Sequence, residues 1–435
     1  MYSEIKSCII CNGSLKQVLD LGRQYVVDFV KEKDESLLKA PLTLMRCEAC
    51  SFIQLKHRVN PDRLYKKFWY RSGINEQMKK ELDTIVRYAQ KTVDLSNGDK
   101  VLDIGCNDGT LLGNYGKGIT TFGVDPCTAL VQEGLKTGKI DIGISDFFSR
   151  DAVNSVCQTL GVPTPKFKII TAISCFYDVT NPVEFLKDCK ELLHDEGVLI
   201  IQMNYLVTML RDTAFDNICH EHVGYYSVST LKAVVEKAGL DLQGVEESTC
   251  NGGSIRAYIT QKGNTKFSIR DVANGLWLYT KMMQLLLQEM KLHLDTVRPY
   301  IEFEVSIHTK LNKIKAMLTS NDLVTYVYGA STRGTVLMQA LCQDGFEERF
   351  TAVAERDHNK FILKMVGTWL DIVPEDEFRS KATQALVLPW HFRESITKRE
   401  HDWLEKGGKL IFPLPDPVLV EKNVNSEMSL TSTKL

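Results

Sequence analysis

The stretch Lys100-Val-Leu-Asp-Ile-Gly-Cys-Asn-Asp-Gly-Thr-Leu-Leu112 constrains the fold more than any other part of the chain. Val101, Leu102 and Ile104 read as the end of a buried strand, Gly105 and Gly109 as a tight turn, and Thr110 onward as the start of a helix. A strand that turns through glycines into a helix offers free backbone N–H groups to a ligand. The spacing is Gly-x-x-x-Gly with Asp103 before the first glycine, not the Gly-x-Gly-x-x-Gly of dinucleotide sites. Any βα turn favours glycine, so the segments after the turn must decide between a cofactor site and an ordinary turn.

Those segments alternate between strand and helix, which implies a doubly wound parallel sheet. Strand Thr120 to Val124 ends at Asp125, where a carboxylate can accept both hydroxyls of a ribose. Strand Asp141 to Ser145 ends at Asp146-Phe147-Phe148, an acid for an adenine amino group beside a phenyl that can cover the ring. Strand Phe167 to Ala172 leads to Asp178, helix Val183 to Leu193 comes next, and strand Gly197 to Met203 leads to Asn204. Ligands of open α/β sheets bind at the carboxyl ends of the strands, where Asp125, Asp146, Asp178 and Asn204 all fall. Ahead of this unit, helix Glu76 to Val93 is preceded by an aromatic-rich segment, in which Tyr70 and Ser72 read either as a lid or as part of a linker cluster.

The chain's 435 residues suffice for two or three domains. A formal net charge of −2 without a basic stripe argues against a nucleic-acid partner. The first residues lack the apolar core of a signal peptide, and runs such as Val198 to Ile201 are too short to span a bilayer, so no membrane partner is expected. Twelve cysteines could suggest disulfides, but four form two Cys-x-x-Cys pairs and the rest are scattered, which fits a reducing cytoplasm and one metal site. Cys8, Cys11, Cys47 and Cys50 form two thiolate pairs, the closed four-sulfur set of one structural zinc.

The segment Phe215 to Ser227 holds His220, Glu221, His222, Tyr225 and Tyr226. If extended, it would face the two histidines one way and Glu221 the other. Two imidazoles and a misdirected acid make a poor metal site, so general acid–base chemistry is the better reading. Next come helix Ser229 to Ala238 and strand Leu240 to Glu246. Asn251-Gly-Gly-Ser254-Ile-Arg256 then reads as a phosphate cradle or as a turn with a surface arginine. Two amphipathic packing helices run from about Ile269 to Leu318. A second α/β unit begins at Leu323, with Gly329, Ser331 and Arg333 at a strand-to-helix turn, helix Thr335 to Cys342, strands Phe350 to Ala354 and Ala385 to Leu388, and a final strand Lys409 to Phe412. Expected boundaries are a zinc module over 1–65, a cofactor domain over 66–250, a C-terminal domain over 251–420, and a polar tail over 421–435. No fixed-period repeat is apparent.

The glycine turn, with Asp103 before it, resembles the S-adenosylmethionine (AdoMet) site of class I methyltransferases. The whole ordered set resembles the zinc-containing, AdoMet-dependent nucleotide-sugar C-methyltransferases. It comprises the two Cys-x-x-Cys pairs, Tyr70-Arg-Ser72-Gly, Asp103-Ile-Gly105, His220-Glu221-His222 with Tyr225-Tyr226-Ser227, Asn251 to Arg256, and Tyr328-Gly-Ala-Ser331. The resemblance implies a four-cysteine zinc module, a class I methyltransferase sheet and a C-terminal Rossmann-like α/β domain. It implies AdoMet on Tyr70, Ser72, Asp103, Gly105, Asn107, Gly109, Asp125, Asp146 and Phe147. It implies chemistry at His222, Glu221 and their neighbours His220, Tyr225, Asp178 and Cys219. Cys219 stands where many members carry a tyrosine, and Asp178 where many carry a histidine. Asn204, Tyr226, Ser254, Arg256, Gly329, Ser331 and Arg333 are then expected around an NDP-4-keto-deoxysugar, methylated at C-3 in preference to C-5. An O- or N-methyltransferase and a silent zinc-bearing binding protein are the rival readings. The oligomeric state is left open, with a monomer compatible.

Overall fold

The computed structural model describes residues 2–67, 69–264, 272–319 and 323–422, with the side chains of 272–275 outside the description. The start of the first long helix near Ile269, and residues 423–435 of the expected tail, lie outside it.

The N-terminal unit is an antiparallel sheet of β1 (Leu15–Tyr25), β2 (Lys39–Cys47) and β3 (Ile53–Leu55), extended by Gly224–Tyr225 from far along the chain. A second distant strand, Lys364–Met365, pairs with Phe29–Val30. Both later units are therefore hydrogen-bonded to this one.

The central sheet has seven strands. β4 (Lys100–Ile104), β5 (Thr120–Val124), β6 (Ile142–Ile144), β7 (Phe167–Ile173) and β8 (Leu193–Asn204) are parallel, and β9 (Leu240–Ser248) and β10 (Ser254–Gln261) close one edge. The order is β9-β10-β8-β7-β4-β5-β6, with β10 antiparallel to both its neighbours. Alternating residues of β4 face opposite layers: Val101 packs with Ile169 and Val198, and Leu102 with Phe122 and Ile170. Helix α1 (Glu76–Thr92) covers one face with Leu82, Ile85, Val86 and Ala89, spaced at helical intervals. Wholly buried, Ile85 contributes about 1.5–3 kcal/mol. Asn75 caps α1 by accepting from the N–H groups of Gln77 and Met78. Helix α2 (Val228–Lys237) lies on the other face, and α3 (Val272–Leu292) packs on β9.

One expectation fails here. No α-helix follows the glycine turn; residues 112–114 form one 3-10 turn. The Asp108 carboxylate accepts from the backbone N–H and hydroxyl of Thr110, and Gly113 and Gly116 weaken any helix beyond. Just past the expected boundary at 250/251, β10 pairs with β8 from Leu199↔Ile259 to Asn204↔Ser254 and so adds a strand to the central sheet.

After α3 and α4 (Arg298–Thr319), a second parallel sheet follows. Its strands are β11 (Thr325–Tyr328), β12 (Val353–Glu355), β13 (Ile372–Pro374), β14 (Gln384–Val387) and β15 (Lys409–Phe412), with antiparallel β16 (Val418–Glu421) at the edge. Strand β16 makes β15 the penultimate rather than the final strand. Helix α5 (Thr332–Leu341) leaves the tip of β11 and starts at Thr332 rather than Thr335, because Ser331 caps it. Among the described residues no helix is long and apolar enough to cross a membrane.

Candidate active site

The four N-terminal thiols form a separate centre. Their sulfurs all lie within 4.8 Å of one another, with Cys8–Cys50 at 3.6 Å, Cys11–Cys50 at 3.5 Å and Cys11–Cys47 at 3.4 Å. Sulfurs tetrahedrally bound at about 2.3 Å stand roughly 3.8 Å apart, so the set fits zinc. Each pair sits on a matching knuckle. The Asn12 N–H donates to Cys8 O and the Ser51 N–H to Cys47 O, and both Asn12 and Ser51 take positive φ. Gly13 leaves room for the sulfurs: a Cβ there would stand 3.0 Å from Cys47 Sγ and 3.2 Å from Cys11 Sγ.

A cavity of about 710 Å³ opens where the carboxyl ends of the central strands meet those of the second sheet. This is large among ligand pockets. One wall is the turn after β4. Gly105 has φ +71° and a Cβ there would strike Cys175, so the backbone itself borders the cavity. The Asp125 carboxylate accepts from the N–H of Asn107 at 3.0 Å and of Cys127 at 2.8 Å. Burial raises its pKa while those bonds oppose the rise. Asp103 lies deeper; burial raises it to about 7, opposed by the Thr171 hydroxyl at 2.6 Å. Asn107 also holds the aromatic segment, donating to Tyr70 O and accepting from the Ser72 N–H, both at 3.0 Å. Phe147 lines the same wall. Asp146 and Gly109 do not line the cavity. Asp146 is exposed and accepts from the adjacent Phe147 N–H, and Gly109 is packed against Ile140.

The chemical wall combines Asp178, Glu221 and His222. The segment is not extended at Glu221: the His222 N–H donates to Cys219 O at 3.2 Å, closing a turn. That turn brings Glu221 and His222 to the cavity together and sends His220 away, where its Nε2–H donates to Ala40 O in β2 at 3.0 Å. His220 thus ties the loop to the zinc unit and does not face the cavity. His222 Nδ1–H donates to Asn217 O at 2.7 Å, which leaves Nε2 as the acceptor. Burial presses its pKa down to about 3. Burial raises Glu221 to about 7, and raises Asp178 well above the carboxylate range with help from Glu221's charge. Glu221 Oε2 and Asp178 Oδ1 have no protein partner. Cys219 is wholly buried, and Tyr225 occupies a narrow gap behind His222. Neither lines the main cavity. Tyr226 is likewise sealed in, against Phe52 and Phe176.

The expected phosphate cradle is not one. Strand alternation turns Arg256 under α1, where it donates to Gln202 at 2.8 Å, Glu246 at 3.0 Å and Glu81 at 2.8 Å. Ser254 is buried and donates to Cys250 O. The cationic wall comes instead from the second sheet. Arg333 borders the cavity, paired with Asp216 at 2.8 Å, beside Ser331, which caps α5 through the Gly334 N–H. Gly329 packs against Pro389 and does not border the cavity. Asn204 does; its Nδ2 donates to Asn217 at 2.6 Å and its Oδ1 has no protein partner.

Sequence reasoning missed Lys360, Tyr65, Trp69 and His391, all on the cavity. Lys360 Nζ donates to Ala330 O at 2.7 Å and lies 4.6 Å from the Phe29 ring centre. Its strand end, Glu355-Arg356-Asp357, was legible, but a lysine beyond it carries no pattern. The Tyr65 hydroxyl donates to Glu221 O at 2.8 Å.

Three family models match in series: "Putative zinc binding domain" over residues 8–65, "Methyltransferase domain" over 74–245, and "C-methyltransferase C-terminal domain" over 249–415. The chain belongs to the C-methyltransferase family. The C-methyltransferase NovU of Streptomyces niveus is 25% identical over 394 residues, covering 87% of each chain. A ubiquinone biosynthesis O-methyltransferase of Glaesserella parasuis is 32% identical over 108 residues, covering 24% of this chain and 44% of that one. A crystal structure of an S-adenosylmethionine-dependent methyltransferase from Clostridium acetobutylicum covers 44% of this chain and 94% of its own, at 13% identity and a TM-score of 0.34. This C-methyltransferase has the class I sheet order, with its one antiparallel strand beside β8, and a four-thiol unit that fits one structural zinc.

Proposed function

We propose that the enzyme C-methylates an NDP-4-keto-deoxysugar, at C-3 in preference to C-5. One observation carries the reading: an imidazole kept neutral and two carboxyls with raised pKa line a cavity that is also lined by the strand-end acid Asp125 and the cations Arg333 and Lys360. Gly105, Asn107, Asp125 and Phe147 would hold AdoMet, with Tyr70 and Ser72 over it. Bound there, AdoMet supplies an electrophilic methyl group. Arg333, Lys360 and Ser331 offer positive charge and hydrogen bonds to a diphosphate.

His222 Nε2 takes the proton from the carbon alpha to the ketone. Its neutrality at pH 7 follows from burial, and the Asn217 carbonyl fixes its tautomer. Glu221, or its neighbour Asp178, keeps a proton near neutrality and donates it in a hydrogen bond to the oxygen that becomes an enolate. Trp69, Tyr65 and Phe147 wall the cavity with aromatic surface and keep water from the enolate.

The test is incubation with AdoMet and a panel of NDP-4-keto-6-deoxysugars, read by product mass and NMR. A carbon-linked methyl beside C-4 is expected. A methyl found only on oxygen or nitrogen, across the panel and its reduced counterparts, would overturn the reading.

A further inference from the structure

Helix α3 carries an apolar face that nothing in the described chain covers. Its inner side is ordinary: Leu278, Met282 and Leu285 are buried, and Gly244 of β9 makes room for Leu278, since a Cβ there would stand 2.7 Å from it. On the outer side stand Leu276 at 66% exposure, Tyr279 at 52%, Met283 at 39%, Leu287 at 54% and Met290 at 72%. At about 100° per residue these five fall within roughly 80° of one another, opposite the buried side. A stripe like this costs solubility and marks an interaction surface.

The spacing of the stripe identifies its occupant. Successive residues are 3, 4, 4 and 3 apart, a seam of the kind that packs against another helix. The series also reads the same in both directions about Met283. We propose that the chain pairs with a second copy of itself through the outer face of α3, the two helices antiparallel across a two-fold axis at Met283. Leu276 then meets Met290 of the partner subunit, and Tyr279 meets the partner's Leu287. A self-complementary patch of this sort is what a two-fold interface requires.

The area agrees. At roughly 100 Å² for each half-exposed large side chain, the stripe offers on the order of 500 Å² of apolar surface. Thr280 and Leu286, each about 20° beyond an edge of the stripe, widen the face toward the ~800 Å² per partner of a standard interface. No acidic side chain stands on the exposed side of residues 276–292, so two such faces meet without carboxylate repulsion. The last thirteen residues are a poor alternative cover. They are mostly polar, with Val424, Met428, Leu430 and Leu435 as their large aliphatic side chains. The cavity lies elsewhere, so the proposal is independent of the substrate reading.

Sedimentation velocity on the full chain, at tens of micromolar, should show a species of about twice 49.3 kDa. Leu287→Glu with Met290→Glu should return it to the single-chain mass while leaving AdoMet affinity unchanged. Met283→Cys should cross-link to its own copy under mild oxidation. Leu276→Cys alone should not, but mixed with Met290→Cys it should. A wild-type chain that sediments at 49.3 kDa overturns the proposal, and so does one that becomes dimeric only when residues 423–435 are removed. A dimer that survives the double glutamate variant places the interface elsewhere. Self-cross-linking of Leu276→Cys overturns the antiparallel arrangement.

Discussion

The Tyr65 hydroxyl reaches 156 residues along the chain to donate to the backbone carbonyl of Glu221 at 2.8 Å. It joins the end of the zinc-bearing unit to the turn that presents both Glu221 and His222. Removing one such bond costs about 1 kcal/mol, or roughly fivefold in an equilibrium. Tyr65→Phe should therefore lower kcat several-fold with AdoMet affinity unchanged, measured by steady-state kinetics beside calorimetry. An unaltered kcat would mean that the turn holds its shape without this bond.

The zinc unit acts on the same turn from the other side. Strand β3 pairs with Gly224–Tyr225, the Leu55 N–H donates to Val223 O, and His220 is bonded to β2. Elemental analysis should find one zinc per chain. Because metal affinity is part of the folding free energy of such a unit, Cys47→Ser should yield an aggregation-prone protein. Any soluble fraction should be impaired in methyl transfer although no cysteine of the zinc centre touches the cavity. Full activity without zinc would refute the coupling.

Asp125→Ala should weaken AdoMet binding tenfold or more. Two charge-assisted bonds to ribose at about 1.5 kcal/mol each allow that loss. The same carboxylate steadies the glycine turn through the Asn107 N–H, so Asp125→Asn, which keeps one acceptor, should lose less. Calorimetry with AdoMet decides the matter, and an unchanged dissociation constant in both variants would remove Asp125 from the ribose.

Much of this site was readable before folding, and the failures share a cause. Gly105, Asp125, Phe147, Asp178 and Asn204 follow strands, and a strand in a parallel sheet announces its end by a break in an apolar run. Glu221 and His222 were found by type but misjudged in direction. One backbone bond, from His222 N–H to Cys219 O, turns Glu221 and His222 to the cavity together and sends His220 away. Arg256 looked like an anion site because nothing local marks Glu81 or Glu246 as its partners; these come from α1 and β9. Lys360 and Tyr65 reach the cavity only through pairing between units, such as Phe29–Val30 with Lys364–Met365, which has no signal in periodicity. The helix expected after Gly109 was lost to a local competitor, the Asp108 side chain.

Glu221 makes stability depend on pH. Burial raises its folded-state pKa from 4.5 to about 7. The folded chain therefore holds this proton more tightly than the unfolded chain. Its stabilising effect is complete below about 4.5 and is lost as pH rises through 7. The full cost at high pH is about 3 kcal/mol on a scale of ~1.4 kcal/mol per unit. Glu221→Gln cannot ionise, so its melting temperature should exceed that of the wild type at pH 8 and match it at pH 4. Equal melting temperatures at pH 8 would show that the carboxyl is not buried as a neutral group.

The base and the hydrogen-bond donor can be told apart by the sign of one pH limb. If His222 abstracts the proton, its pKa of about 3 keeps it competent across the working range and gives no limb near neutrality. If Glu221 is the donor, kcat/KM should fall as pH rises through about 7, because the protonated form is consumed. If Glu221 were instead the base, kcat/KM should rise through the same pH. Proton removal can be followed without methyl transfer, in heavy water with the nucleotide sugar and S-adenosylhomocysteine. The wild type should wash deuterium into one ring position. His222→Asn should lose exchange and methylation by a hundredfold or more while still binding AdoMet, in keeping with the usual worth of a placed base. Glu221→Gln keeps an amide donor and should retain part of the exchange while losing the limb at 7. Should His222→Asn exchange at the wild-type rate, and the limb rise rather than fall, the imidazole is a spectator held by Asn217 and the carboxyl of Glu221 takes the proton.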